Sequence, residues 1–213
     1  MDRQILFHCR RLANIVGAGP KRIALVGNGE NARGFGSEID SHDFVVRMNR
    51  AIHFGEAGTK TDALAVINWS GPGRWMTNGE TPINAEALRA AKSIWLPMPP
   101  EDMESVKNDQ PGTFEWPTYV DFTSEVIDNL VDGRPYIKFP PNIWRSLTKE
   151  LRGLGAAKTQ ASSTGALVLA YLVRVWPRSK VTLYGFTHEG WDGHPWEQEK
   201  AWIRNLDRVP YKP

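Results

Sequence analysis

The sequence predicts an α/β domain with a mostly parallel sheet, on three observations. Apolar runs recur at residues 23–26, 44–48, 63–67, 94–96, 136–139 and 181–184, the first two rich in the branched residues that suit a buried strand. The segments between them carry apolar residues at helical spacing. The first run ends in Gly27-Asn28-Gly29, a glycine-bounded polar turn of the kind that receives a nucleotide at a strand end.

Each helix has its own justification. Residues 85–92 are alanine-rich, and residues 120–131 and 143–154 place apolar side chains three and four apart. The clearest helix spans 165–176, introduced by Ser162-Ser163-Thr164 as capping residues and stopped by Pro177. A last helix is expected from Pro195, at a first-turn position, to about Leu206, with Glu197 and Glu199 near its positive end. Gly71-Pro72-Gly73 reads as loop, and so does the long proline-bearing stretch 97–117, a length at which loops commonly serve function.

Composition sets the broad limits. A chain of 213 residues, 41% of them hydrophobic, can bury a real core, and the expectation is one domain over 1–213 with residues 1–20 as an N-terminal extension. A net charge of +2 gives no electrostatic case for nucleic acid, so any anion site must be local. Cys9 is the single cysteine, which excludes an internal disulfide and fits a cytoplasmic setting. Arg3, Arg10 and Arg11 around Ile5-Leu6-Phe7 make a basic start too short to span a membrane. That start is either a solvated helix or a peripheral contact with the inner membrane face.

The chemistry-bearing residues gather in three places. Gly27 and Gly29 can take backbone angles that other residues avoid, which would present Asn28 to a phosphate or ribose. Ser163-Thr164-Gly165 opens an apolar helix, either as an ordinary cap or as hydroxyls and unpaired amides aimed at an anion. His194 stands just before the last helix, where an imidazole near neutrality could take a proton. His8, His42 and His53 have no partner that singles them out and are expected to be structural or exposed. Lys149, Glu150 and Arg152 suggest a solvated helical face with local ion pairs. Trp69, Trp75, Trp191 and Trp196 lie near loops, as packing residues or as aromatic walls for a sugar or base. No metal spacing is present, and Asp40 and Asp43 are expected to orient His42 and the nearby loop backbone.

In order, the chain reads Val26-Gly27-Asn28-Gly29, then Ile39-Asp40-Ser41-His42-Asp43-Phe44-Val45-Val46-Arg47-Met48-Asn49-Arg50-Ala51, then Gly58-Thr59-Lys60-Thr61-Asp62. This string, within 23–62, resembles the large sialylmotif of the sialyltransferases of glycosyltransferase family 29. Ser163-Thr164-Gly165 and Val181-Thr182-Leu183-Tyr184-Gly185-Phe186, within 162–186, resemble the small sialylmotif. His194-Pro195-Trp196-Glu197-Gln198-Glu199, at 194–199, resembles the very small motif.

The resemblance implies a Rossmann-like, variant GT-A glycosyltransferase, inverting and metal-independent, with no cofactor beyond its CMP-sugar donor. It implies that Gly27, Asn28, Gly29 and Asn49 meet the phosphate and ribose of CMP. Ser163, Thr164 and Gly165 would hold the nucleotide from the other side, with Phe186 beside it, and His194 would be the base. Glu199 would either orient the imidazole or support the loop before it. His188 is the candidate donor to the leaving phosphate, with Tyr184 and Lys60 as alternatives. His188 stands only six residues before His194, closer than the family spaces the corresponding motifs. Sialic acid, or a related 3-deoxy-ulosonic acid such as Kdo, would be the sugar, and a glycan or glycolipid the acceptor. Arg33, Arg47, Arg50 or Lys60 could pair with the donor's carboxylate. Animal enzymes of the family carry a membrane anchor, a stem and a disulfide joining the large and small motifs, and without a match to these the expectation is a short, soluble or peripheral, bacterial-like member. The rival expectation is a CMP- or glycan-binding protein without turnover.

Overall fold

The computed structural model describes residues 19–102 and 120–210. The N-terminal segment with His8 and Cys9, and most of the predicted 97–117 loop, lie outside the described residues. The strands are β1 (Arg22–Val26), β2 (Phe44–Met48), β3 (Ala63–Ala65), β4 (Ile94–Leu96), β5 (Tyr136–Lys138) and β6 (Lys180–Tyr184). They form one sheet in the order β5-β4-β3-β2-β1-β6, every pairing parallel. Strand β3 is shorter than the apolar run because the amide of Ile67 turns away to the Asn49 side-chain oxygen at 2.9 Å.

The helices are α1 (Gly36–Asp40), α2 (Ser70–Thr77), α3 (Ala85–Ala90), α4 (Thr123–Val126), α5 (Pro141–Gly153), α6 (Thr164–Val175) and α7 (Trp196–Arg204). Strand alternation sorts the core between the two faces. Ile23, Leu25, Val46, Trp95, Val181 and Leu183 point to one face, where Leu147 of α5, Leu167 of α6 and Trp202 of α7 cover them. Leu64, Ile94 and Leu96 point to the other, against Ala87 of α3 and Val126 of α4, while Ala24, Val45 and Tyr184 pack on Ile39 of α1. Two-sided burial explains why the strands read as nearly unbroken apolar runs. The outer edge of β6 is occupied by the following segment, whose Arg208 and Pro210 carbonyls accept from the amides of Val181 and Leu183.

Two expectations about helices are corrected. Gly71-Pro72-Gly73 is helical, inside the first turns of α2, where the missing amide of Pro72 falls among those that have no intrahelical partner anyway. The helix expected over 120–131 is α4 followed by a π-helical stretch, Ile127–Val131, that ends at Asp132 with φ 48°. Helix α1 is five residues long and was not legible. Helix α3 is capped by Asn84, whose side-chain oxygen accepts from the amides of Glu86 and Ala87.

Glu150 lies on a solvated face, as expected, but its pairs are not local. It bridges helices, accepting from Arg174 of α6 at 2.5 Å and from the Trp202 indole of α7 at 2.7 Å. Among the described residues no helix is long and apolar enough to cross a membrane.

Candidate active site

From β1 the chain proceeds to β2 on one side, and β6 returns to lie on the other, so the sheet has a switch point between β1 and β6. Ligands of such sheets bind beyond the carboxyl ends of the strands at that point. A cleft of about 310 Å³ lies there, lined by Gly27, Asn28, Gly29, Met48, Asn49, Ser163, Thr164, Gly165, Gly185, Phe186, Thr187, His188, Glu189, His194 and Trp196. A larger and more open hollow of about 560 Å³, edged by Lys21, Arg178, Lys180 and Arg208, lies at the opposite end of the strands, away from the three motifs.

Gly27 and Gly29 are needed for space, not for unusual backbone angles, which corrects the expectation. Neither has a positive φ, and Gly29 is extended at φ −73°, ψ 144°. A β-carbon on Gly27 would stand 2.4 Å from the Gly185 carbonyl oxygen, because the ends of β1 and β6 touch there, with the Gly29 amide bonded to that same oxygen at 3.0 Å. A β-carbon on Gly165 would likewise meet the Phe186 ring at 2.8 Å. Left-handed backbone is found instead at Asn49 (φ 50°) and Ala51 (φ 47°) in the next turn, and after β6 at Gly185 (φ 70°) and His188.

The two asparagines knit the strand ends together. The Asn28 amide donates to the Met48 carbonyl at 3.2 Å and its oxygen accepts from the Ile52 amide at 3.2 Å. Asn49 accepts from Ile67 and reaches the Thr164 hydroxyl at 3.5 Å. Each amide nitrogen keeps a second N–H for a ligand.

Across the cleft, Ser163 is the N-cap of α6, its hydroxyl accepting from the Ala166 amide at 3.1 Å. The first amides of that helix have no intrahelical partner, so Thr164 and Gly165 offer donors and the positive helix end. Ser163 is itself held by Glu199, which accepts from its amide at 2.6 Å and its hydroxyl at 2.8 Å. Glu199 is 1% exposed, and burial raises its carboxyl to about 7 against the two Ser163 hydrogen bonds. Neither role expected for Glu199 matches its bonds: the carboxylate holds Ser163 in front of α6, not the loop before its own helix, and makes no hydrogen bond to the imidazole.

His194 bonds through Nδ1 to the Ala161 carbonyl at 2.7 Å. A carbonyl only accepts, so Nδ1 carries the proton and Nε2 of the neutral ring keeps its lone pair. Burial depresses the pKa of His194, opposed by the Ala161 bond. Trp191 and Trp196 flank the ring edge-on, with centroids 4.8 and 4.9 Å away. Trp196 also lines the cleft, Trp191 is 50% exposed, and Trp69 is buried in the core. His188 is buried in the cleft wall with φ 52°, and burial lowers its pKa, with Lys200 acting in the same direction.

The alternative donors point elsewhere. Tyr184 is fully buried beneath the sheet end, its hydroxyl donating to Glu38 at 2.9 Å, and burial pushes its pKa up. Lys60 donates to the carbonyls of His42 and Asp43. Among the candidate partners for a carboxylate, Arg47 is buried, bonded to the Ala57 and Lys60 carbonyls and the Thr61 hydroxyl, with its pKa pushed down to about 10 by burial. Arg33 pairs with Glu30 and Glu56, and Arg50 is exposed. No described Lys or Arg lines the cleft. Asp40 accepts from the amides of Thr59 and Lys60, and Asp43 from that of Arg22, so they fix loop backbone, while His42 is held by the Glu38 carbonyl.

Fold and cleft define a doubly wound α/β protein with its site at the switch point. The profile of glycosyltransferase family 29 (sialyltransferase) matches residues 8–207, and the chain belongs to that family of glycosyltransferases. It is 27% identical over 191 residues to the urease operon 23 kDa accessory protein of Rhizobium meliloti (strain 1021), covering 86% of this chain and 88% of that one. A stretch of 48 residues is 54% identical to CMP-N-acetylneuraminate-beta-galactosamide-alpha-2,3-sialyltransferase 1 of Homo sapiens, 20% of this chain and 14% of that one. Among solved structures, a mammalian sialyltransferase aligns with a TM-score of 0.56 at 20% identity, over 99% of this chain and 79% of its own. The alpha-2,3-sialyltransferase from Campylobacter jejuni in apo form aligns at 0.54 and 14% identity, over 92% and 76%. These two likenesses are likenesses of fold.

Proposed function

We propose that the cleft binds a CMP-activated sialic acid, or a related 3-deoxy-ulosonic acid such as Kdo, and transfers the sugar with inversion to a glycan or glycolipid hydroxyl. The observation that carries this reading is the His194 tautomer: with Nδ1 committed to the Ala161 carbonyl, Nε2 is the ring's proton acceptor. The acceptor oxygen attacks the anomeric carbon, its proton passes to Nε2, and the bond from the anomeric carbon to the phosphate oxygen breaks. CMP leaves with that electron pair. The amides of Thr164 and Gly165 and the positive end of α6 are suited to the phosphate, and the spare N–H groups of Asn28 and Asn49 to the ribose and phosphate. His188 is the proposed donor to the departing oxygen, a role open to a neutral imidazole through its N–H.

The test is incubation with CMP-sialic acid and with CMP-Kdo, reading CMP release with and without acceptor. Turnover of either donor supports the reading. CMP binding with no release from either would instead make the chain a binding protein.

A further inference from the structure

We infer that His53 is a positioning residue for the nucleotide turn, holding the Asn28–Gly29 peptide in one orientation; this rests on the CMP site proposed above. His53 lies 25 residues after Asn28, yet its Nε2 is 3.2 Å from the Asn28 carbonyl oxygen. Because that oxygen only accepts, Nε2 is the donor. The left-handed backbone at Asn49 and Ala51 turns the chain back after β2 and brings residues 52 and 53 under the turn.

The peptide joining Asn28 to Gly29 is thus gripped at both ends, its oxygen by His53 and its N–H by the Gly185 carbonyl at 3.0 Å. Two-ended restraint matters here because Gly29 follows. A peptide preceding glycine can rotate about its flanking bonds into the positive-φ region at little steric cost. Such a flip would swing the Gly29 N–H off Gly185 and turn the Asn28 carbonyl, altering the floor of the cleft on which the nucleotide would rest.

The imidazole is only 8% exposed and is flanked by carboxylates. Nε2 lies 3.7 Å from Glu30 and Nδ1 lies 3.8 Å from Glu56. Arg33 binds both acids, at 2.9 and 2.6 Å, so the groups that confine the ring are themselves fixed. None of these side chains lines the cleft, and the role is exerted through Asn28 and Gly29.

Two readouts test this on the full chain: the affinity for CMP by calorimetry, and hydrogen exchange at the Gly29 amide without ligand. His53→Ala should raise the CMP dissociation constant about tenfold, the scale of one hydrogen bond, and speed Gly29 exchange by a similar factor. His53→Gln places an amide nitrogen near the Nε2 position and should restore both to within about twofold. His53→Asn, equally polar but too short, should behave like the alanine variant and guards against a simple packing defect. Unchanged affinity and exchange in both the alanine and asparagine variants would overturn the assignment. If the wild-type chain failed to bind CMP, the nucleotide site would fall, while faster Gly29 exchange rescued by glutamine would still establish the hold of His53 on the turn.

Discussion

Glu199 offers the most quantitative test of how the cleft is built. Its carboxyl is displaced from an ordinary 4.5 to about 7, because burial disfavours the ionised form more than the two Ser163 hydrogen bonds favour it. Between those pH values the folded chain holds a proton that the unfolded chain has released, so stability falls as pH rises through the window. One pH unit is worth about 1.4 kcal/mol, so the loss approaches about 3 kcal/mol above pH 7. Glu199→Gln keeps the shape, an oxygen for the Ser163 amide and an N–H for the Ser163 hydroxyl, without a charge to bury. The two proteins should be equally stable near pH 4.5, and by about pH 8 the glutamine variant should be the more stable by as much as about 3 kcal/mol. Urea unfolding of both across that range measures the difference. If Glu199→Gln were less stable than wild type at about pH 8 by more than about 1 kcal/mol, the hydrogen bonds to the carboxylate would outweigh its desolvation, and this account of the site would be refuted.

Other changes test single links. His194→Ala should lower transfer by about 10²–10⁴-fold with CMP affinity unchanged, as measured by donor turnover and calorimetry, and undiminished transfer would remove the base role. Because burial holds His194 below its ordinary 6.5, wild-type kcat should already be level at neutral pH and fall only on the acid side, as protonation fills Nε2. Gly27→Ala drives a methyl into the Gly185 carbonyl at 2.4 Å, which should cost about 1–3 kcal/mol in denaturant unfolding. Asn84→Ala removes the cap of α3 and should cost about 1 kcal/mol, with transfer activity retained.

What the sequence could reveal follows from which forces are local. Strands β1 to β4 and β6 were legible because burial on both faces makes each a compact apolar run, edge strand β5 was legible from its apolar residues although it is only partly buried, and α6 was legible because its cap and its stop are adjacent in the chain. Helix α2 was hidden by two glycines and a proline that a first turn tolerates. The three motifs were legible as strings, and their residues do line one cleft. Their mutual contacts were not, since they join residues far apart: Ser163 to Glu199, Asn28 to His53, Tyr184 to Glu38. Arg47 makes the point sharply. Beside a nucleotide turn an arginine reads as an anion ligand, and only the folding of the 57–61 loop surrounds it with the Ala57 and Lys60 carbonyls that occupy its donors.

Those distant contacts also explain how His194 and the helix end come to share one cleft. The segment 161–163 immediately before α6 is zipped to the loop that carries His194: the Ala161 amide donates to Gly193, the Ala161 carbonyl receives His194 Nδ1–H, and Ser163 is clasped by Glu199. One bond sets the tautomer of the ring, and another sets the residue that caps the helix. A shift of this segment would therefore disturb both together. The Ala161 and Ser163 backbone positions are coupled by only one intervening residue, so loosening Ser163 should reach His194 through the Ala161 carbonyl. A Ser163→Ala change should accordingly alter the acid limb of the pH–rate profile as well as CMP affinity. Separate, additive effects of Ser163→Ala and His194→Gln on turnover would argue that the two halves of the cleft act independently.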